Sequence, residues 1–227
     1  MANKKYSVTN TTRDLTELHP LVEAMLIKAL AKIKLAGIEP LIVETYRPKE
    51  RQYYLYGKGR TESICRGAGM PSDKAKMYAK PNDTKCTWTL DSIHIQRRAV
   101  DLIPQVKNSK GNYEAIWNSN DPKTKKIISI MQSVGFEPGA NWKNSPDSPH
   151  FQVAGISNIK KEFSKNNTNK FVTTAIQKAL KKKGFYDGYE VDGIWGKATD
   201  NAIKKWKKSQ GWSQKACIGT RAINKLF

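Results

Sequence analysis

Only three histidines occur in the 227 residues, and two of them stand near acidic residues in a way that could do chemistry. His94 lies in Ser92-Ile93-His94-Ile95-Gln96-Arg97-Arg98-Ala99-Val100-Asp101, seven residues before Asp101. His150 lies in Asp147-Ser148-Pro149-His150-Phe151, three residues after Asp147. Imidazole and carboxylate are the donors of a catalytic Zn²⁺ site, which takes three protein ligands at about 2.0–2.2 Å and keeps a fourth position for water. Seven residues of extended strand would reach about 23 Å, so His94 and Asp101 can share a metal only if the chain bends between them. Gln96-Arg97-Arg98 is where that bend would lie. His150 would come from a distant strand, with Asp147 placed to take a proton from the water. The spacing alone leaves open a plainer reading, a solvated or hydrogen-bonded histidine ahead of a strand.

The elements that must carry these residues read as α+β. Pro20 suits a first helical turn, and Val22, Leu26, Leu30 and Ile33 recur at helical spacing up to a C-terminal Gly37. His19, just before Pro20, belongs to that helix start and has no catalytic part. The run 40–46 follows as a strand, and 99–103 is a second one that Pro104 is expected to stop. The stretch 57–85 is rich in Gly, Lys and Asp without a clean period, so it reads as a long loop shaping the cleft. Residues 123–134 read as a helix closed by Gly135, and 136–151 as turns ending in a short apolar pair.

Composition narrows the surroundings. Forty Lys and Arg against 20 Asp and Glu leave a net charge of +20, which calls for anionic partners such as wall polymers, nucleic acid or a charged membrane surface. No apolar stretch approaches 18 residues, so membrane insertion is excluded. Met1 to Asp14 is polar and lacks an apolar h-region, so synthesis in the cytoplasm without a secretory signal is expected. Three cysteines make no disulfide framework, and Cys65 and Cys86 have no neighbouring His or Cys for a second metal. Residues 156–227 hold 16 basic and 5 acidic residues, net +11, against net +9 for 1–155. The polar stretch 157–170, rich in Lys, Asn and Ser, reads as a linker between domains at 1–156 and 171–227.

The segment 92–101 resembles the Ser-x-His-x-x-Gly-x-Ala-x-Asp signature of the zinc D-Ala-D-Ala carboxypeptidases and L-alanyl-D-glutamate endopeptidases. Ser92, His94, Ala99 and Asp101 match it. Asp147-Ser148-Pro149-His150 resembles the family's second signature, and Glu44-Thr45-Tyr46-Arg47-Pro48 with Gln52 its Tyr-Arg segment. The resemblance implies one Zn²⁺ held by His94, Asp101 and His150, with Asp147 as general base and then acid toward the leaving amine. It implies Arg47 facing the oxyanion, and Ser92 and Gln52 as substrate contacts. One departure is plain: Arg97 stands at the family's glycine. If that position needs φ > 0, a non-glycine costs about 1 kcal/mol and the turn differs locally.

Residues 171–227 resemble a second module, the small three-helix peptidoglycan-binding domain. Gln177, Leu180, Gly184, Asp192-Gly193, Gly196 and Thr199 match its pattern, while Cys217-Ile218 replaces a second Asp-Gly and Trp206 a usual Phe. Trp195, Trp212 and Tyr189 are expected to be exposed and to stack on sugar rings, and Trp206 to fill the core. The expected architecture is an α+β zinc peptidase domain followed by a small all-α three-helix cell-wall-binding domain. The expected function is that of a phage-type endolysin. Such an enzyme hydrolyses the peptidoglycan stem peptide at L-Ala-D-Glu and reaches the wall after release from the cytoplasm. A D,D-carboxypeptidase is the alternative with the same site. A basic nucleic-acid-binding protein is a third reading, weakened because no nucleic-acid module is recognisable and the histidine set would go unexplained.

Overall fold

The computed structural model describes residues 6–153, 162–166, 168 and 170–226. Of the expected linker, 157–161, Asn167 and Asn169 therefore lie outside the described residues. Helix α1 (Pro20–Leu35) begins with proline at its first position, where a missing N–H costs nothing. The His19 ring Nδ1 accepts the Leu21 N–H and caps the helix. Burial, and then the nearby Arg98 charge, lower the His19 pKa to about 4, so the ring stays neutral and able to accept. Gly37, at φ +73, turns the chain out of α1 into β1 (Glu39–Glu44).

Strand β1 pairs antiparallel with β2 (Ala99–Lys107), which also pairs with β3 (Tyr113–Ala115) near one end and β5 (His150–Gln152) at the other. The two-residue β4 (Glu137–Pro138) completes the sheet beside β5, in the order β1-β2-β5-β4 with β3 off that path. Pro104 does not stop β2, contrary to expectation. It faces Pro40 across the ladder, where neither residue has an N–H to contribute, and its carbonyl accepts from Ile116 instead. Helix α5 (Pro122–Ser133) covers the sheet together with α1.

The stretch 57–85, expected as a loop, folds into helices instead. Helix α2 (Lys49–Gly57) leads into α3 (Glu62–Gly67) and α4 (Ser72–Tyr78). Tyr56, Cys65, Met70 and Ala75 form a small core of their own beneath them. Helices of six and seven residues are too short to display a period, which is why the sequence shows none.

The C-terminal region is helical, with α6 (Lys170–Lys182), α7 (Lys197–Ser209) and α8 (Thr220–Leu226). Phe163, inside the expected linker, exchanges both backbone hydrogen bonds with Ile218, so the chain is already part of this region there. Helix α1 packs against α6, and one continuous apolar cluster contains Leu26, Ile33, Val100 and Phe151 as well as Ile176, Leu180, Ile203 and Trp206. The two regions are in contact and not merely tethered. All three cysteines are unpaired; Cys65 and Cys217 are buried and Cys86 is exposed.

Gln177 is the polar centre of the helical region and is fully buried. Its amide nitrogen lies within 2.9–3.1 Å of the Tyr186 hydroxyl, Asp192 Oδ1, the Ile194 carbonyl and Thr199 Oγ1, while its oxygen accepts the Gly193 N–H at 2.8 Å. Replacing it leaves buried groups unpaired at about 1–3 kcal/mol each. Gln177→Ala should therefore lower the stability of this region by about 2 kcal/mol or more in urea unfolding followed by circular dichroism. A change below about 0.5 kcal/mol would show the network to be dispensable.

Candidate metal centre

A row across three strands builds the centre. Asp101 on β2 lies directly opposite His150 on β5 and, on its other side, opposite Glu44 at the end of β1. The β1 register slips between Ile42 and Glu44, and this bulge sets Glu44 opposite Asp101 where an unbroken ladder would set Val43. His94 reaches the same row from a tight turn over 92–97, closed by Ile95 N–H to Ser92 O and Arg97 N–H to His94 O. That turn is the bend the seven-residue spacing requires.

Arg97 adopts φ +61, so the turn keeps the left-handed residue that glycine usually supplies. Side-chain contacts offset the strain. The guanidinium pairs with the Glu17 carboxylate, donates to the Glu17 carbonyl at 2.7 Å, and lies 3.8 Å over the Tyr46 ring.

Three donor atoms meet in the row. His94 Nε2 is 3.1 Å from Asp101 Oδ1 and 3.2 Å from His150 Nδ1, and the latter is 3.2 Å from Asp101 Oδ1. Three corners of a tetrahedron with bonds of about 2.0 Å are separated by about 3.3 Å, so the triangle has the size that tetrahedral Zn²⁺ demands. The tautomers agree. His94 Nδ1 donates to the Thr45 carbonyl at 2.6 Å and His150 Nε2 donates to Gln152 Oε1 at 3.0 Å. The nitrogens left facing each other can then serve as lone-pair donors beside a carboxylate, an arrangement suited to holding a cation among them. Both imidazoles are buried. Burial acts to raise the Asp101 pKa, but His94 and His150 beside it prevail and hold the carboxyl far below the usual range. Burial opposes protonation of His150, yet the Asp101 hydrogen bond prevails and raises its pKa. Among the described residues this is the one cluster of such ligands.

Arg47 stands at the edge of the centre. Its Nη2 is 2.6 Å from Glu44 Oε2 and 3.5 Å from Asp101 Oδ2, and its Nη1 donates to Gln52 Oε1 at 3.0 Å. Glu44 is buried between Arg47 and Arg51, whose Nε donates to Glu44 Oε1 at 2.7 Å. Asp147 is exposed on the loop before β5. Partial loss of hydration and then the Asp101 charge raise its pKa, which brings it closer to the range useful to a base.

Several expectations are corrected. Gln52, expected to face substrate, is fully buried, with its amide engaged by Arg47, Thr87 Oγ1 and the Thr89 carbonyl, so it stands behind Arg47 and holds it. Ser92 is buried and accepts the His94 N–H, so it shapes the turn. Trp195 is buried, with its indole N–H on Asp200 Oδ1 at 2.7 Å, and offers no face to a sugar. Trp212 is half-buried and Tyr189 exposed, so both keep accessible surface. Both lie in the C-terminal region, apart from the row.

Four contributors escape sequence reasoning. Thr45 and Gln152 fix the histidine tautomers through one carbonyl and one side chain. The Trp142 ring lies 5.0 Å from that of His150. Gly139 lets the 139–147 loop close, because a Cβ there would meet the Asp147 carbonyl at 2.6 Å and the Asp147 and His150 Cβ atoms at 3.2 and 3.1 Å.

Residues 85–153 match the family model described as D-alanyl-D-alanine carboxypeptidase of the peptidase M15 group, a span that includes His94, Asp101, Asp147 and His150 but not Arg47. Residues 173–214 match a putative peptidoglycan binding domain. The peptidoglycan L-alanyl-D-glutamate endopeptidase of Bacillus subtilis is 27% identical over 143 residues, 61% of this chain and 74% of that protein. The L-alanyl-D-glutamate peptidase of Listeria phage A118 is 25% identical over 195 residues, 77% of this chain and 59% of that protein. A crystal structure of a Serratia marcescens L-Ala D-Glu endopeptidase aligns with TM-score 0.40 and 18% identity, covering 65% of this chain and 89% of that one. The chain carries a peptidase M15 family domain, that of a metallopeptidase, followed by a C-terminal peptidoglycan-binding domain.

Proposed function

We propose that the chain is an endolysin that hydrolyses the L-Ala-D-Glu bond of the peptidoglycan stem peptide with one Zn²⁺, held on the wall by its C-terminal region. The observation that carries the reading is the triangle of His94 Nε2, Asp101 Oδ1 and His150 Nδ1, three facing electron-pair donors of tetrahedral size. A bound Zn²⁺ would acidify a water and polarise the scissile carbonyl. The chain's own groups do the rest. The Asp147 carboxylate takes a proton from the attacking water and returns it to the leaving amine. Arg47, held rigidly by Glu44 and Gln52, presents a permanent positive charge to the oxygen on which negative charge develops. Thr45 and Gln152 keep each imidazole turned the right way.

The bond is assigned from the two relatives whose names specify L-alanyl-D-glutamate cleavage. The matching family model is described by carboxypeptidase activity, which keeps removal of a terminal D-Ala as a second reading. Release from the cytoplasm to the wall fits the phage relative.

Removal of metal by a chelator should abolish lysis of purified walls, and added Zn²⁺ should restore it. Full activity in protein shown by elemental analysis to hold no metal would exclude this mechanism. Asp147→Asn should keep the metal but lose most turnover, because an amide cannot accept the proton. Arg47→Ala should also keep the metal and slow hydrolysis by about 10²–10³, the scale for losing one oxyanion donor. Either variant at near-native rates would remove that residue's role. Mass spectrometry of digested muropeptides separates the two bonds: new amino termini at the second stem residue mark endopeptidase action, and loss of terminal alanine alone marks the carboxypeptidase.

A further inference from the structure

An open groove of about 450 Å³ lies in the C-terminal region, lined by Gln210, Trp212, Arg221 and Lys225. Trp212 is a fixed platform. Its backbone N–H bonds the Lys207 carbonyl, and its ring meets the buried Trp206 edge-on at 5.6 Å between centroids. The Arg221 guanidinium lies over the Trp212 ring, 4.8 Å from its centroid, and Lys225 follows four residues later on the same face of α8. Both cations are exposed, and among the described residues no carboxylate forms an ion pair with either. Flat indole beside two exposed cations and one amide is the chemistry that holds a sugar ring with an anion attached.

We propose that this groove binds a phosphodiester-linked sugar polymer of the wall, the sugar lying on Trp212 and its phosphate taken by Arg221 and Lys225. The inference rests on the reading of this region as a wall anchor but names a ligand other than the cleaved peptide. The choice follows from charge. Stem peptides carry amines as well as carboxylates, whereas a phosphodiester chain is anionic at every repeat, and 156–227 is strongly cationic at net +11. A planar guanidinium also matches two phosphate oxygens at once.

The test uses the full chain in cosedimentation with purified walls from a phosphate-polymer-bearing species, before and after removal of that polymer with hydrofluoric acid. The double variant R221Q/K225Q should bind native walls about tenfold or more weakly, the scale of losing charge-assisted hydrogen bonds. Trp212→Leu, which keeps an apolar contact with Trp206 but removes the flat face, should also bind more weakly. The native chain should lose comparable affinity on stripped walls, where the double variant gains no further deficit. K178Q/K197Q changes charge equally outside the groove and should change binding little. Undiminished binding by R221Q/K225Q or Trp212→Leu, equal loss in K178Q/K197Q, or equal native binding to stripped and intact walls would overturn the proposal. Cleavage of soluble muropeptides, which carry no such polymer, is measured in parallel. Its absence would sink the proposed hydrolysis while leaving the groove's ligand standing.

Discussion

Everything at the catalytic end depends on one cross-strand alignment, Asp101 on β2 opposite His150 on β5. Directly opposed residues in an antiparallel pair bring their Cβ atoms within about 5 Å, close enough for short side chains to converge on one point. A slip of one residue would send the Asp101 side chain to the other face and put Val100 or Leu102 in the row. Both neighbours are buried in the main apolar core, so such a slip would also cost their burial. The hydrophobic pattern of β2 thus enforces the geometry of the polar site it carries.

The same row distributes charge. Asp101 turns Oδ1 to the two imidazoles and Oδ2 to Arg47, while Glu44 divides its two oxygens between Arg47 and Arg51. Arg51 reaches on to the Val8 and Thr9 carbonyls, which ties the N-terminal segment to the centre. Buried charges are tolerable only when their partners and remaining hydrogen bonds are supplied, and this chain of carboxylates and guanidiniums supplies both. It also leaves Arg47 held in one orientation beside the centre by Glu44 and Gln52.

Much of this was legible in the sequence, and the boundary is physical. The ligand residues could be named because their types are scarce and their neighbours match a known signature. Helices α1 and α5 could be outlined because each is long enough to show a period between a proline and a glycine. What escaped depends on the third dimension. The β1 bulge has no composition of its own, and the partner of His94 is a backbone carbonyl at Thr45 that any residue type could supply. Trp195 and Trp212 look alike on paper. They differ because Asp200 lies within reach of the Trp195 indole N–H, which lets that ring be buried whole. The left-handed Arg97 was legible as a conflict, and its resolution through Glu17 and Tyr46 was not.

The unpaired thiols bear on how the molecule can be handled between compartments. Burial is the strongest influence on Cys65 and Cys217 and raises the pKa of both, so neither presents a ready thiolate to an oxidant. Only Cys86 meets solvent, with its Sγ donating to the Leu55 carbonyl. No covalent cross-link contributes to the fold. The same conformation can therefore persist in a reducing cytosol and in oxidising surroundings outside a cell, with no folding step that waits on oxidation. The exposed sulfur also offers a single position for a fluorescent or spin label, on the irregular segment after α4 and remote in sequence from the C-terminal helices.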